Sequence, residues 1–171
     1  FTPGDEVDTL VAMNPAALKT NIADLRRGGT LIVNEDEFDK SNLQKAGYVT
    51  NPLDSEDIVS KYTIHRVPMT RLNRDAVAGL GLSQKEVDRS RNIFALGLVY
   101  WLFSRDMSHT VQWIESSMKS KDAVVAEANL RALKAGWNYG ETTEMFVQRY
   151  DVPKARIEPG RYKNIMGNEA T

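Results

Sequence analysis

The chain has 171 residues, enough for one domain or one domain with an appendage. Its 22 Lys+Arg and 23 Asp+Glu leave a net charge of −1, and no basic run exceeds Arg26-Arg27, so the phosphate-neutralising face that nucleic acid needs is not expected. With no cysteine, disulfides, thiolate catalysis and Cys-ligated zinc or iron–sulfur sites are excluded within these residues.

Phe1-Thr2-Pro3-Gly4-Asp5 reads as turn chemistry. Val7 to Met13 is a short apolar run whose length suits a buried strand. Asn14-Pro15 then opens a helix: Asn can cap, and Pro at the first position loses only an N–H that would be unpaired anyway. Leu18, Ile22 and Leu25 continue that helix as an amphipathic stripe. Arg26-Arg27 fit its last turn, and Gly28-Gly29 fit a left-handed stop. Thr30 to Asn34 is the next strand, which completes a βαβ unit and implies a parallel sheet. A second helix is expected near Ser41 to Ala46, ended by Gly47, then a polar loop from Asn51 to Ser60. Tyr62 to Val67 forms a third strand, stopped by Pro68.

From Leu72 the pattern turns helical. Ser83-Gln84-Lys85-Glu86 fits a capping box, and its helix should run to about Arg105. Val111, Ile114 and Met118 share a face of a helix over Ser108 to Lys119. Val125, Ala128, Ala132 and Leu133 do the same over Asp122 to Trp137. The longest apolar run, Ile93 to Phe103, falls short of the roughly 20 residues needed to cross a bilayer. No secretory leader is visible, so a soluble, cytoplasmic protein with no membrane partner is expected.

Ligands of open α/β sheets lie beyond the carboxyl ends of the strands. That rule points to Met13-Asn14-Pro15, Asn34-Glu35-Asp36 and Pro68-Met69-Thr70, with Asn14 and Asn34 the ligand-facing candidates. Asn14 also suits a simple helix cap. No glycine-rich phosphate loop joins a strand to a helix. His65 and His109 lack partners at metal or triad spacing, and Glu35-Asp36-Glu37 reads as a solvated turn; no metal site and no catalytic residue is assigned. Trp101, Trp113 and Trp137 suit packing. Ala135 to Glu144 concentrates aromatics, glycines and hydroxyls. It fits either a helix stop with a capped turn or a contact surface, which makes Trp137, Tyr139 and Glu141 subunit-interface candidates. In the closing segment Ile157, Tyr162, Ile165 and Met166 alternate with charges and glycines, as in an extended segment crossing a surface. Tyr162 joins the interface candidates, and the chain reads as a piece of a larger polypeptide.

Leu10 to Ala17, Gly28 to Asn34 and Val67-Pro68-Met69 resemble the gamma-type domain of 2-oxoacid:ferredoxin oxidoreductases. Arg91-Asn92-Ile93-Phe94-Ala95-Leu96-Gly97 is similar to a central-helix segment of that family. Glu127 to Glu144 resembles the version fused to the alpha subunit, of the 2-oxoglutarate type. Gly160-Arg161-Tyr162 and Gly167-Asn168-Glu169-Ala170 resemble the junction to its thiamine-pyrimidine domain.

The resemblance implies an incomplete Rossmann-like three-layer α/β domain, lacking a glycine-rich first unit, followed by a helical C-terminal part. Its α/β portion would span 1–70, its helical portion 71–150, and a linker 151–171. It implies a parent enzyme that decarboxylates a 2-oxoacid oxidatively with coenzyme A and reduces ferredoxin. Thiamine diphosphate, Mg2+ and a [4Fe-4S] cluster would reside in the rest of the alpha subunit and in the beta subunit. These residues alone would bind no cofactor, would be inactive in isolation, and would support the coenzyme A side and subunit packing. A non-catalytic interaction module is the alternative, and a free-standing nucleotide-binding domain is disfavoured by the missing phosphate loop.

Overall fold

The computed structural model describes residues 6–118, 122–143, 149–152, 156–158 and 160–161. Three strands, β1 (Val7–Ala12), β2 (Leu25–Asn34) and β3 (Thr63–Val67), form a parallel sheet in the order β1-β2-β3. Helices α1 (Pro15–Asn21), α2 (Lys40–Lys45) and α3 (Glu56–Val59) belong to the two crossovers. Then follow α4 (Met69–Ala76), α5 (Gln84–Leu102), α6 (Ser108–Trp113) and α7 (Ala123–Thr142).

Alternation along the strands divides the core into two layers, as a sheet buried on both faces requires. Ala12, Leu31 and Val33 pack with Leu18, Phe38 and Leu53 on one face. Ile32 and Val67 pack on the other with Met69, Phe94, Leu98 and Ala132, so α4, α5 and α7 cover the sheet opposite the crossovers. The expected three-layer α/β arrangement with a helical C-terminal part is therefore observed.

Asn14 caps α1, its Oδ1 accepting from the Ala17 N–H at 2.8 Å. The helix is shorter than its apolar stripe suggests. It ends at Asn21, a 3-10 turn covers Ile22–Asp24, and Leu25 already opens β2. Arg26, Arg27, Gly28 and Gly29 thus lie in a strand and not in a helix terminus. They form a wide irregularity: β1 advances from Val7 to Thr9 while β2 advances from Leu25 to Thr30. Gly28 takes φ +75 there, a left-handed conformation that glycine adopts without steric cost. The stretch from Asn51 to Ser60 is likewise not all loop, since it holds a 3-10 turn (Pro52–Asp54) and α3.

Glu86 accepts from the Ser83 N–H (2.8 Å) and Oγ (2.6 Å) at the start of α5, which holds its carboxyl below the usual range. That helix ends at Leu102, three residues short of the expected Arg105. The helix at Ser108 stays regular only to Trp113 and continues as a π turn, Ile114–Met118, with Ile114 buried. The last helix runs on to Thr142, so Gly136 to Gly140 is helix interior and not a helix stop.

That continuity has a packing cause. A Cβ on Gly97 would lie 2.0 Å from the Leu133 carbonyl oxygen, and one on Gly136 would lie 1.9 Å from that of Phe94. At Gly140 it would lie 2.5 Å from the Trp101 ring. Backbone therefore meets backbone where α5 crosses α7, and the glycines are tolerated mid-helix because nothing larger fits. Beyond α7, Tyr150 stacks on Phe103 with centroids 4.8 Å apart and meets Thr30 Oγ1 at 3.1 Å, tying residues 149–152 to the sheet. The described residues of 151–161 lie in neither helix nor strand. Tyr162 and Gly167 to Ala170 lie outside the described residues. Among the described residues no helix is long and apolar enough to cross a membrane.

Replacing glycine by alanine in an open helix favours the helix by about 1 kcal/mol. At Gly97 or Gly136 the opposite sign is expected: overpacking should cost about 1–3 kcal/mol or more. Gly136→Ala in the complete protein should speed hydrogen exchange throughout α5 and α7, whereas Asn138→Ala on the exposed side of α7 should not. Unchanged exchange in Gly136→Ala would contradict the contact.

Candidate functional site

Two of the three carboxyl-end segments expected to hold ligand, Asn34-Glu35-Asp36 and Pro68-Met69-Thr70, are tied by a polar network, and the third, Met13-Asn14-Pro15, borders the hollow beside it. Asn34 is fully buried at the end of β2. Its Nδ2 donates to Thr70 Oγ1 (3.0 Å), and its Oδ1 accepts from the Thr70 N–H (3.3 Å) at the start of α4. Thr70 Oγ1 donates to Glu37 Oε1 (3.2 Å) and accepts from Arg91 of α5 (2.9 Å). Arg91 also pairs directly with Glu37. A buried amide with both ends satisfied is a fixed part, so Asn34 holds the loop after β3 against the end of β2.

The acidic turn Glu35–Glu37 is anchored rather than simply solvated. Asp36 accepts from the Arg71 N–H (2.9 Å) and Nε (2.7 Å). Glu37 is held by Arg91, and its second oxygen accepts from Asn42 Nδ2 (3.2 Å). Glu35 lies near Tyr139 of α7; burial first, and that negative charge second, raise the phenol above its ordinary pKa. Helices α4 and α5 thus each hold one of three consecutive carboxylates, and the charge of the third acts on Tyr139 of α7.

Beside the turn is a hollow of about 230 Å³ between the start of α1 and the end of α2. It is lined by Asn14, Pro15, Ala16, Glu37, Asn42, Lys45 and Ala46. Asn14 is exposed at its rim, with Oδ1 engaged as the helix cap. Lys45 supplies a cation and Glu37 a carboxylate whose charge Arg91 shares. The hollow is polar and open, suited to binding a charged group rather than enclosing a reaction.

Of the interface candidates, Tyr139 borders the acidic turn, Trp137 and Glu141 lie on α7 beside it, and Tyr162 is outside the described residues. Trp137 and Tyr139 are half-buried against the core shared by α5 and α7. Glu141 accepts from Trp101 Nε1 at 2.7 Å, while the Arg149 guanidinium sits 4.8 Å from the Trp101 ring centroid. The strand-end rule reaches Thr70 through the Pro68-Met69-Thr70 segment, but nothing in the sequence singles out Arg91 or Lys45 as site residues. The one local mark of Arg91 is a charge set just ahead of an apolar run, two residues from its first member.

A thiamine diphosphate, Mg2+ or iron–sulfur site does not fit the described residues. No cluster of His, Asp and Glu there could hold a metal ion, and the left-handed glycines at 28, 47, 79 and 81 do not form a strand-to-helix phosphate loop.

The sequence model of the family described as pyruvate ferredoxin/flavodoxin oxidoreductase matches residues 1–139. The chain belongs to that family. Over 170 residues it is 53% identical to the 2-oxoglutarate oxidoreductase subunit KorA of Mycobacterium tuberculosis, an alignment covering 99% of this chain and 26% of that protein. Its fold matches the solved 2-oxoglutarate:ferredoxin oxidoreductase from Magnetococcus marinus, which has 2-oxoglutarate, coenzyme A and succinyl-CoA bound. The TM-score is 0.61 at 18% identity, covering 90% of this chain and 23% of that one, a likeness of fold. The chain spans about a quarter of the length of these relatives. The resemblance read from Leu10 to Ala17, Gly28 to Asn34 and Val67 to Met69 is thus borne out at the level of the family.

His65, in β3, is almost fully buried, and desolvation lowers its pKa from the ordinary 6.5. Because the folded value is depressed, the contribution to stability is present above about pH 6.5 and is lost as pH falls through the folded value. Stability should therefore decline on acidification below about pH 6.5. The decline should be shallower in His65→Asn, read as the urea midpoint at successive pH values. Parallel profiles for the two proteins would contradict the assignment.

Proposed function

We propose that this chain forms part of a cytoplasmic 2-oxoacid:ferredoxin oxidoreductase that converts 2-oxoglutarate and coenzyme A to succinyl-CoA and CO2 while reducing ferredoxin. The observation that carries this reading is the 53% identity to a 2-oxoglutarate oxidoreductase subunit across nearly the whole chain. The electrons released on decarboxylation go to ferredoxin, and the acyl group goes to the thiol of coenzyme A.

Within that reaction these residues have a supporting role. Thiamine diphosphate, Mg2+ and the [4Fe-4S] cluster are assigned to the remainder of the alpha subunit and to the beta subunit. Those are the partners we propose for this chain, together with ferredoxin through the whole enzyme. The carboxyl edge of the sheet would then face coenzyme A, with Asn14 at the surface of the hollow and Asn34 beneath it as a brace. Its polar lining, including Lys45, suits an anionic, hydrated group such as a phosphate. Trp137, Tyr139, Glu141 and Tyr162 are the positions proposed to meet neighbouring subunits. Their half-exposed aromatic surface would allow Trp137 and Tyr139 to serve both core and contact.

The complete enzyme, assayed with reduced ferredoxin as the readout, should turn over 2-oxoglutarate only when coenzyme A is present, and pyruvate far more slowly. Adding coenzyme A should also slow hydrogen exchange of amides around Asn14. Coenzyme A-independent turnover, or a preference for pyruvate, would overturn the reading. Normal turnover with unaltered exchange around Asn14 would favour the purely packing role.

A further inference from the structure

We infer that Arg91 is a positioning residue for coenzyme A: it takes up the charge of Glu37, so that the hollow beside Asn14 and Lys45 admits an anionic group. This rests on the proposed function above.

Glu37 is the one carboxylate among the residues lining the hollow, and Lys45 the one cation. Left to itself, Glu37 would cancel the field of Lys45 and repel phosphate. Arg91 instead reaches it from α5, on the opposite side of the sheet edge from α1 and α2, binding both Glu37 Oε1 and Thr70 Oγ1. Arg91 and Glu37 are mostly shielded, with 20% and 25% of their side chains exposed, so solvent screens the pair less than a surface one. With the pair formed, Lys45 carries the remaining charge among the lining residues; just outside them Lys19 Nζ donates to the Ala46 carbonyl (2.9 Å), and Asp39 Oδ2 (2.8 Å) and the other Glu37 oxygen (3.2 Å) hold Asn42.

Stability alone accounts poorly for this arginine. Shielded ion pairs often contribute little or nothing relative to apolar residues of the same size. Here the Arg91 Nε is buried and donates to no described atom, an uncompensated cost. An apolar residue at 91 would avoid that cost but would leave Glu37 as a bare negative charge at the hollow.

The test uses the complete enzyme and coenzyme A, with Kd by calorimetry alongside KM and kcat. In Arg91→Gln the Kd and KM for coenzyme A should rise about tenfold, as expected for an uncompensated like charge near a bound anion. The KM for 2-oxoglutarate should move much less. Glu37→Gln also breaks the pair but removes the repelling charge, so it should bind coenzyme A at least as tightly as wild type. The double variant should recover most of the loss of Arg91→Gln. If Glu37→Gln weakens binding as much as Arg91→Gln, or the double variant recovers nothing, Arg91 is a mechanical strut and the inference fails. An unaltered Kd in Arg91→Gln would overturn it equally. A wild-type enzyme that does not bind coenzyme A would instead remove the proposed function itself, a failure visible before any variant is made.

Discussion

The structure depends on the contact between α5 and α7 at Gly97 and Gly136. Each glycine lies against a carbonyl of the other helix, too close for any Cβ, which fixes where the two longest helices cross above the sheet. Close-packed interiors transmit such constraints because they have no slack to absorb a shift. Phe94, whose carbonyl meets Gly136, is one turn from Arg91, and Tyr139 is one turn beyond Gly136 on α7. The crossing therefore sets the depth at which Arg91 and Tyr139 arrive over the acidic turn Glu35–Glu37.

The carboxyl edge is rigid from within. Strand ends in a parallel sheet leave backbone and side chains to be satisfied by loops, and here a buried asparagine and two arginines do so. Asn34 ties β2 to the loop after β3, Arg71 ties that loop back to Asp36, and Arg91 adds the third helix. A wall made this way offers fixed partners to a ligand without supplying reacting groups. That suits a domain whose relatives extend to about four times its length, with most of the reaction chemistry proposed to lie in the remainder.

Much of this was legible in the sequence where local chemistry dominates. The Asn14-Pro15 helix start, the Ser83/Glu86 pairing and the three strands follow from capping and β-propensity and need no distant contact. Leu25 was misread because its spacing from Leu18 and Ile22 fits a helix, while tertiary pairing with Val7 draws it into β2. The helix-stop alternative for the segment holding Gly136 and Gly140 fails for the converse reason. In isolation glycine argues against a helix, and only the close approach of α5 explains its presence. At the site, the rule for parallel sheets located the three segments, but nothing local shows that an arginine from α5 closes over Glu37. That pairing spans 54 positions and exists only once the sheet and helices are packed.

In the function proposed here, the carboxyl edge of this sheet faces coenzyme A in the assembled enzyme. The most direct measurement is a density map of the complete enzyme with coenzyme A bound. Ligand density is expected against the hollow between α1 and α2, with phosphate near Lys45 and the Arg91–Glu37 pair intact behind it. Coenzyme A bound away from this edge, against the outer surface of α5 and α7 or wholly within other domains, would contradict that reading.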